Sequence, residues 1–526
     1  MQAALAIATV VILGQCLGAF VGLKTSSFWV DELYTAWAID TPTWAEVWRR
    51  ALADVHPPAH ALAAHAWVSA FGLSEISLRL LSALASVAAV AILVFGARRH
   101  LSLGARLLVG TVAVSSAFWL EQSQNGRMYG LGMMFGALLA VIALHIAVTR
   151  EPGRPTSLKT NLALIAVGFV TCFIHFYLFL AVGAIYLGLL LTASAWRDRI
   201  VLAAGGLLTA SAMLVFVSLL LSNTMVDVHG TWFRNSIGLF VGGSWSGVAS
   251  YLGKGAALLL AAALLAVAAR ATSYWKDEIA RRRMVAAGVL LFVQIGLIAA
   301  GVTVSLAVAP SFSPRNISVA APFTWVAIGC LFDIVSARLS PPLRATLLLI
   351  CVLVSAVNGR GVFDRFLPQR EEYRASAAFI HNIPACAGGA IPVVRRFYGG
   401  VSPQMIAVAR YEYGYYLGRG LGQPLRNALP IGYVLAPGRF HFSPQITGLM
   451  QDRLSGRDAC PVLAWVVHVS DVDDESLAHG VGEAGGVSDP AVRILSFPHY
   501  LPVSHMRVVE ARVALVARAG ASAAPH

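Results

Sequence analysis

The chain has 526 residues, of which 57% are hydrophobic and only 12% charged, with a mean hydropathy of +0.70. An ordinary soluble globule carries roughly twice that charged fraction, so the composition excludes one and points to an integral membrane protein. The formal charge of +13 comes in part from short loops between apolar segments; it marks membrane topology and not nucleic-acid binding.

A bilayer span takes about 20 mostly apolar residues, and such segments recur along the sequence. Hydropathy predicts spans at 2–23, 76–97, 105–120, 128–149, 161–174, 176–195, 200–221, 251–269, 285–308, 318–335 and 345–358. That is a polytopic α-helical membrane protein with about eleven transmembrane helices. The first segment lacks a small-residue cleavage site and runs into Lys24 and an acidic loop, so it is read as a retained span. Basic residues gather in every second loop: Arg98, Arg99 and Arg106, then Arg150, Arg154 and Lys159, then Arg197 and Arg199, then Arg270 to Arg283, then Arg338 and Arg344. These loops are expected in the cytoplasm together with the amino terminus, and the alternate loops outside.

The first outer loop opens with Ser27-Phe28-Trp29-Val30-Asp31-Glu32-Leu33-Tyr34-Thr35. Two adjacent acids where a membrane helix meets water are costly unless they are used, because burial beside a like charge drives a carboxylate toward protonation. The plainer reading is a solvated helix end. Next, Trp44 to Leu52 repeats aromatic and apolar residues at helical spacing beside basic ones, as an interfacial helix does. Asp54-Val55-His56-Pro57-Pro58-Ala59-His60 follows, where the double proline ends that helix and sets the direction of the chain. His56 either caps this turn or, with Asp54, lines a binding site.

Phe71-Gly72-Leu73-Ser74-Glu75-Ile76-Ser77-Leu78-Arg79 re-enters the bilayer, and the next outer loop holds Glu121, Gln124, Arg127 and Tyr129. Arg127 breaks the inside-positive pattern, which favours phosphate binding over simple snorkelling. His175 and Tyr177 mark a tight outer turn between two short spans, where an aromatic belt alone accounts for the tyrosine. Asp227, His229, Trp232 and Arg234 lie in another outer loop, serving either interface anchoring or acceptor binding.

From residue 359 the hydropathy falls, and about 165 residues read as a soluble domain outside the membrane. Glu371 to Asn382 and Met405 to Leu417 have helical spacing, while 390–394, 462–467 and 506–516 read as strands, so this domain is expected to be α/β. The expected division is a transmembrane catalytic domain over 1–358 and an extracytoplasmic α/β domain over 359–526. Cys386 and Cys460 each precede an apolar run in this domain, and an oxidising compartment makes them candidates for a disulfide. The other four cysteines sit in apolar spans, where a thiol packs as a small apolar group.

Four features in order resemble one family: the acidic pair after the first span, the His-Pro-Pro turn, the Gly-x-Ser-Glu-x-x-x-Arg entry to the second span, and Gln124-Asn125-Gly126-Arg127-Met128-Tyr129 at the fourth. Ser313-Pro314-Arg315-Asn316 before Ala321-Pro322 resembles the same family's late outer loop. Together they are similar to the GT-C glycosyltransferases, within them the bacterial family related to protein O-mannosyltransferases and the lipid A aminoarabinose transferase. The likeness covers roughly residues 25–135 well and the later spans in architecture only.

The resemblance implies a GT-C fold and transfer of a sugar from a polyprenyl-phosphate carrier to a hydroxyl of a glycolipid, polysaccharide or protein, at the outer face of a bacterial inner membrane. Asp31 is then the expected general base, worth about 10²–10⁴ in rate when well placed, with Glu32 tuning it or holding a metal. Arg127 and then Arg315 are the expected cations on the departing phosphate, with Tyr129 and Gln124 adding hydrogen bonds. Asp54, His56 and His175 are candidate substrate contacts. A divalent metal on Glu32, Asp54 and His56 is left open. Membrane lipids are the other expected partners. A flippase for lipid-linked sugars is the competing reading, but transporters place ionisable groups near mid-bilayer, often in repeated halves, whereas these span centres are almost free of charge and no repeat shows. A membrane-held glycan receptor predicts indifferent loops between spans, which these are not.

Overall fold

The computed structural model describes residues 1–223, 235–359, 372–397, 401–424, 426, 429–436, 439–486, 492–500 and 507–517. In chain order the helices begin with α1 (Gln2–Gly18), α2 (Val30–Ile39), α3 (Trp44–Leu52), α4 (Ala59–Phe71), α5 (Glu75–Ala91), α6 (Leu103–Val114), α7 (Ala117–Gln122), α8 (Tyr129–Thr149), α9 (Leu158–Cys172) and α10 (Phe176–Leu191). They continue with α11 (Trp196–Asn223), α12 (Ile237–Ala269), α13 (Ala271–Trp275), α14 (Glu278–Ala307), α15 (Pro314–Ile317), α16 (Ala321–Ser336), α17 (Pro341–Ala356) and α18 (Tyr373–His381). Strands then alternate with helices: β1 (Val393–Arg396), α19 (Pro403–Tyr416), β2 (Ile431–Ala436), β3 (Arg439–His441), α20 (Pro444–Leu454), β4 (Val462–Val467), α21 (Asp474–Gly485), β5 (Val492–Tyr500) and β6 (Arg507–Val516).

Among the described residues, seven helical stretches are long and apolar enough to cross a membrane: Glu75–Arg99, Tyr129–Thr149, Trp196–Ser222, Ile237–Ala269, Glu278–Ala307, Pro314–Ser336 and Pro341–Gly359. α1, α6, α9 and α10 are shorter apolar helices. Side-chain caps begin several of them: the hydroxyls of Ser102, Ser157 and Ser236 accept the N–H groups of Ala105, Thr160 and Leu239 at 3.2, 3.2 and 3.0 Å.

Two spans differ from the hydropathy reading. The stretch 105–120 is divided, because Ser116 ends the run and caps the separate α7 by accepting from Trp119 N–H at 3.1 Å. α12 starts at Ile237 instead of 251. Its first part is rich in glycine and serine, which lowers mean hydropathy and helix propensity, and Gly253, at φ +70°, marks a kink where two helices meet. Residues 227, 229, 232 and 234, expected in an outer loop, lie outside the described residues.

The chain forms two compact units. The first comprises Met1–Val21, Pro42–Gly72 and Ile76–Val362; the second comprises Gly22–Thr41, Leu73–Glu75 and Phe363–His526. In the first, the Pro314–Ser336 stretch is wholly buried across its most apolar window. Asp333 near its end accepts from Ser102 N–H at 2.8 Å and the Ser102 hydroxyl at 2.5 Å, which fixes the start of α6.

The second unit holds a six-stranded sheet ordered β3-β2-β1-β4-β6-β5. β2, β1 and β4 run parallel; β3, β6 and β5 are antiparallel to their neighbours. Every residue of β4 is buried, and Trp465 donates its indole N–H to Ser376 Oγ of α18 at 3.0 Å. Cys386 and Cys460 are joined by a disulfide. Closing that 74-residue separation restricts the unfolded chain by about 4 kcal/mol in the loop-entropy account. β2, β3, β5, α20 and α21 were not among the expected elements, because β2 and β3 are short or interrupted and β5 carries Pro498 and alternates poorly.

Candidate active site

In the first unit, four separate stretches converge. Ala59 N–H donates to the carbonyl of Phe173 at 2.9 Å, which brings the start of α4 against the turn before α10. That turn is shaped by His175, whose Nδ1 accepts from Tyr177 N–H at 3.1 Å as the cap of α10. The His175 ring lies 5.9 Å from that of His56 and 5.4 Å from that of Tyr129, centroid to centroid. Tyr129 opens α8, and the Arg315 guanidinium stands 5.9 Å above its ring.

Close packing places Arg127 here. A Cβ on Gly130 would fall 2.8 Å from the carbonyl oxygen of Ser82 in α5, so only glycine lets the start of α8 approach this closely. The Ser82 hydroxyl in turn donates to the Arg127 carbonyl at 3.4 Å. The Arg127 guanidinium reaches His56, with Nη2 3.5 Å from Nδ1, and is only 6% exposed. His56 Nδ1 also faces Asp54, 3.2 Å from Oδ2. Arg315 is held by its short helix: Ser313 Oγ accepts from Asn316 N–H at 3.2 Å, and the Asn316 side chain donates to Ser311 at 2.8 Å. That acceptor is the Ser311 carbonyl, while the Ser311 hydroxyl is 3.3 Å from Tyr177 Oη. Arg315 also faces Glu121, at 3.9 Å.

Electrostatically the cluster sets two guanidiniums beside two imidazoles, His60 and His175, whose burial opposes protonation. Burial pushes His175 well below the usual histidine range, and His56, Arg127 and Arg315 push it further. Burial likewise brings His60 down to about 3, helped by Arg127 and His56. Burial alone pushes the Asp54 carboxyl up, but His56, Arg127 and the Val55 N–H outweigh it and hold it below the ordinary value. The two guanidiniums, set beside Asp54 and Glu121 and the buried rings of His60 and His175, supply donors suited to a phosphate group.

His60 was absent from the sequence-based set. It is 6% exposed, and among the described residues its Nε2 has no hydrogen-bond partner, although Arg127, His56 and Asp54 all act on it. A buried unmet imidazole nitrogen beside the Arg127 guanidinium is a ready contact for a ligand oxygen. The signal in the sequence is its position four residues after His56, on the first turn of the helix that the double proline starts. Gln124 is engaged elsewhere: its amide donates to the carbonyls of Ala19, at 3.2 Å, and Val21, just past α1. Among the described residues no group of three or more His, Cys, Asp and Glu is arranged to hold a metal ion.

Asp31 and Glu32 belong to the second unit, in the first turn of α2. Asp31 is half-buried, and its carboxylate sits at the positive end of the helix dipole. Glu32 is 1% exposed, and its Oε2 accepts from the N-cap backbone, Trp29 N–H, at 3.3 Å. This segment is fastened by partners far along the chain. Arg374 donates to Glu75 at 2.6 Å and to the carbonyls of Lys24 and Ser26 at 3.0 Å each. Tyr416 donates to Glu75 at 2.7 Å and accepts from Phe28 N–H. Tyr411 and Arg419 both bind Asp40 at 2.7 Å.

Behind these, Arg395 pairs with Glu412 in full burial, its guanidinium 4.8 Å from the Phe397 ring and 5.5 Å from that of Tyr413. Glu412 feels the Asp31 charge, which adds to burial in raising its carboxyl against the pull of Arg395.

No protein-family model matches the chain, and no curated protein matches it. Among solved structures it is similar to ArnT from Cupriavidus metallidurans, in the apo state and bound to undecaprenyl phosphate. Each matches at 15% identity and a TM-score of 0.49, covering 96% of this chain and 97% of that one. It is also similar to the mycobacterial arabinofuranosyltransferase AftD, at 14% identity and a TM-score of 0.46, over 97% of this chain and 40% of that one. A third is the Archaeoglobus fulgidus oligosaccharyltransferase, at 10% identity and a TM-score of 0.43, covering 96% and 73%. Likenesses at this level identify neither substrate nor mechanism.

Proposed function

We propose that this protein is an inverting glycosyltransferase of the GT-C type, moving a sugar from a polyprenyl-phosphate carrier to an acceptor hydroxyl at the outer face of a bacterial inner membrane. The observation that carries this reading is the convergence of Arg315 on Tyr129 and of Arg127 on His56, with the buried rings of His60 and His175 beside them. An integral membrane protein with such a pocket beside its helix ends suits a ligand that is part lipid and part phosphate.

In the reaction, the acceptor oxygen attacks the anomeric carbon from the face opposite the phosphate. The carbon–oxygen bond to phosphate breaks, the configuration inverts, and Asp31 takes the hydroxyl proton. The phosphodiester monoanion leaves as a phosphomonoester with a second negative charge. Arg127 and Arg315 stabilise that growing charge, and donors fixed before the reaction cost no reorganisation during it. His60 Nε2, as a neutral group, adds a hydrogen bond to a phosphate oxygen when it carries the proton. Glu32 holds the turn that presents Asp31.

The amino terminus is placed in the cytoplasm and residues 359–526 outside, following the alternation of basic loops. The acceptor is a hydroxyl of a glycolipid, polysaccharide or protein. Mass spectrometry of envelope glycolipids and glycoproteins from cells lacking the protein tests the proposal. One sugar is expected to vanish, and to return with the wild-type chain but not with Arg127→Ala. An unchanged set of glycans overturns it.

A further inference from the structure

An open polar concavity lies in the first unit, among the residues that follow α5 and the facing parts of α8 and α9. It has a volume of about 670 Å³ and is lined by Arg98, Arg99, His100, His145 and Lys159, with Phe95 at its edge. Nothing in the transfer reaction uses it.

Basic residues at the cytoplasmic ends of spans are expected from topology alone, and some of those in this protein are neutralised. Arg283 faces Asp333 at 3.4 Å, Arg150 faces Asp198 at 3.4 Å, and Arg154 meets Glu151 at 2.7 Å. Arg98, Arg99 and Lys159 have no carboxylate partner among the described residues, and these three line the same concavity. Three unneutralised cations around one concavity form a site for an anion.

The backbone is also altered here. α5 passes into a π-helical turn over Ile92–Gly96 and then a tight turn over Ala97–Arg99, and Arg106 donates to the Val94 carbonyl at 3.0 Å within it. Widened turns of this kind interrupt helices chiefly where a function needs the space. His100 Nε2 and His145 Nδ1 share a proton at 2.9 Å, so they can hold at most one proton between the facing nitrogens and leave their other nitrogens for a ligand.

We infer that this cavity binds the phosphate headgroup of an anionic membrane lipid in the cytoplasmic leaflet. Its position at the ends of two apolar spans sets it at headgroup depth. Phe95, 65% exposed at its rim, offers apolar surface to an acyl chain, which a free phosphate does not need.

The test uses the full-length protein in nanodiscs of equal phosphatidylglycerol and phosphatidylcholine, released into native mass spectrometry. The wild type is expected to retain phosphatidylglycerol selectively. Arg98→Gln, Arg99→Gln and Lys159→Gln together are expected to weaken retention on the order of a hundredfold, at about a factor of five per basic residue. The variant Arg98→Lys with Arg99→Lys keeps it. Should the triple variant elute or melt abnormally, Lys159→Gln alone is expected to lose about fivefold.

Equal retention of both lipids, or undiminished retention in a folded triple variant, overturns the inference. Saturable binding of inorganic phosphate without lipid selectivity overturns it too, in favour of a soluble anion. Because the readout is bound lipid and not sugar transfer, it stands or falls apart from the proposed reaction.

Discussion

The arginine-lined pocket of the first unit and the Asp31 segment of the second are built in opposite ways. Around Arg127 and His175, short pieces of chain supply both the functional group and its support: His56 faces Asp54 two residues away, His175 caps its own helix, and Arg315 rides on a helix started by Ser313. Around Asp31, support comes from afar. Glu75 is held by Arg374 and Tyr416, Asp40 by Tyr411 and Arg419, and Phe28 by Tyr416. A pocket with local supports tolerates loss of one neighbour, whereas a segment held by distant partners depends on the fold of the whole second unit.

The largest expected effect breaks the chemistry of the first region while sparing its structure. Arg127→Ala is expected to slow transfer by about 10²–10³, the usual cost of removing a preorganised donor to a developing anion. Its melting temperature should change little, since Gly130, Ser82 and the α8 packing remain; initial rates and thermal melts on one preparation check both parts.

In the second region the order reverses, with stability suffering first. Glu75→Gln leaves Arg374 and Tyr416 without their shared acceptor charge and is expected to cost about 2–3 kcal/mol. The melting temperature should fall and protease cleavage within residues 22–41 should rise. Unchanged protection of that segment contradicts the distant-support account.

A smaller effect sharpens the comparison through pH. Burial, with Glu75 nearby, pushes the Glu372 carboxyl up to about 7 from 4.5, against the pull of Arg374. Between those values the folded state keeps a proton that the unfolded state has shed, so this group's contribution declines as pH rises from 4.5 to about 7. Glu372→Gln should therefore gain about 2 kcal/mol at pH 8 and almost nothing at pH 4, measured as the difference in denaturant midpoints.

The same contrast governs what the sequence could reveal. The membrane fold was legible because burial in lipid demands long apolar runs, and Arg127 stood out because a cation in a loop expected outside breaks the charge asymmetry of the loops. Asp54, His56, His175 and Arg315 come together as local motifs. Arg374, Tyr411, Tyr416 and Arg419 were not legible, since their partners lie more than 290 positions away in sequence and each alone resembles an ordinary surface residue. The start of α12 was hidden by glycine and serine, which lower hydropathy while permitting close helix packing. Gln124 matched a motif yet closes the end of α1, a reminder that residues kept by a backbone turn and by a ligand look alike in sequence.

Proton removal by Asp31 is most directly tested by single-turnover transfer from a labelled polyprenyl-phosphate sugar, comparing wild type with Asp31→Asn in proteoliposomes. The amide keeps the size and the helix start while losing basicity. A fall of about 10²–10⁴ in the chemical step, with donor binding and melting temperature preserved, is the predicted result. Transfer at the wild-type rate by a folded Asp31→Asn protein contradicts the account.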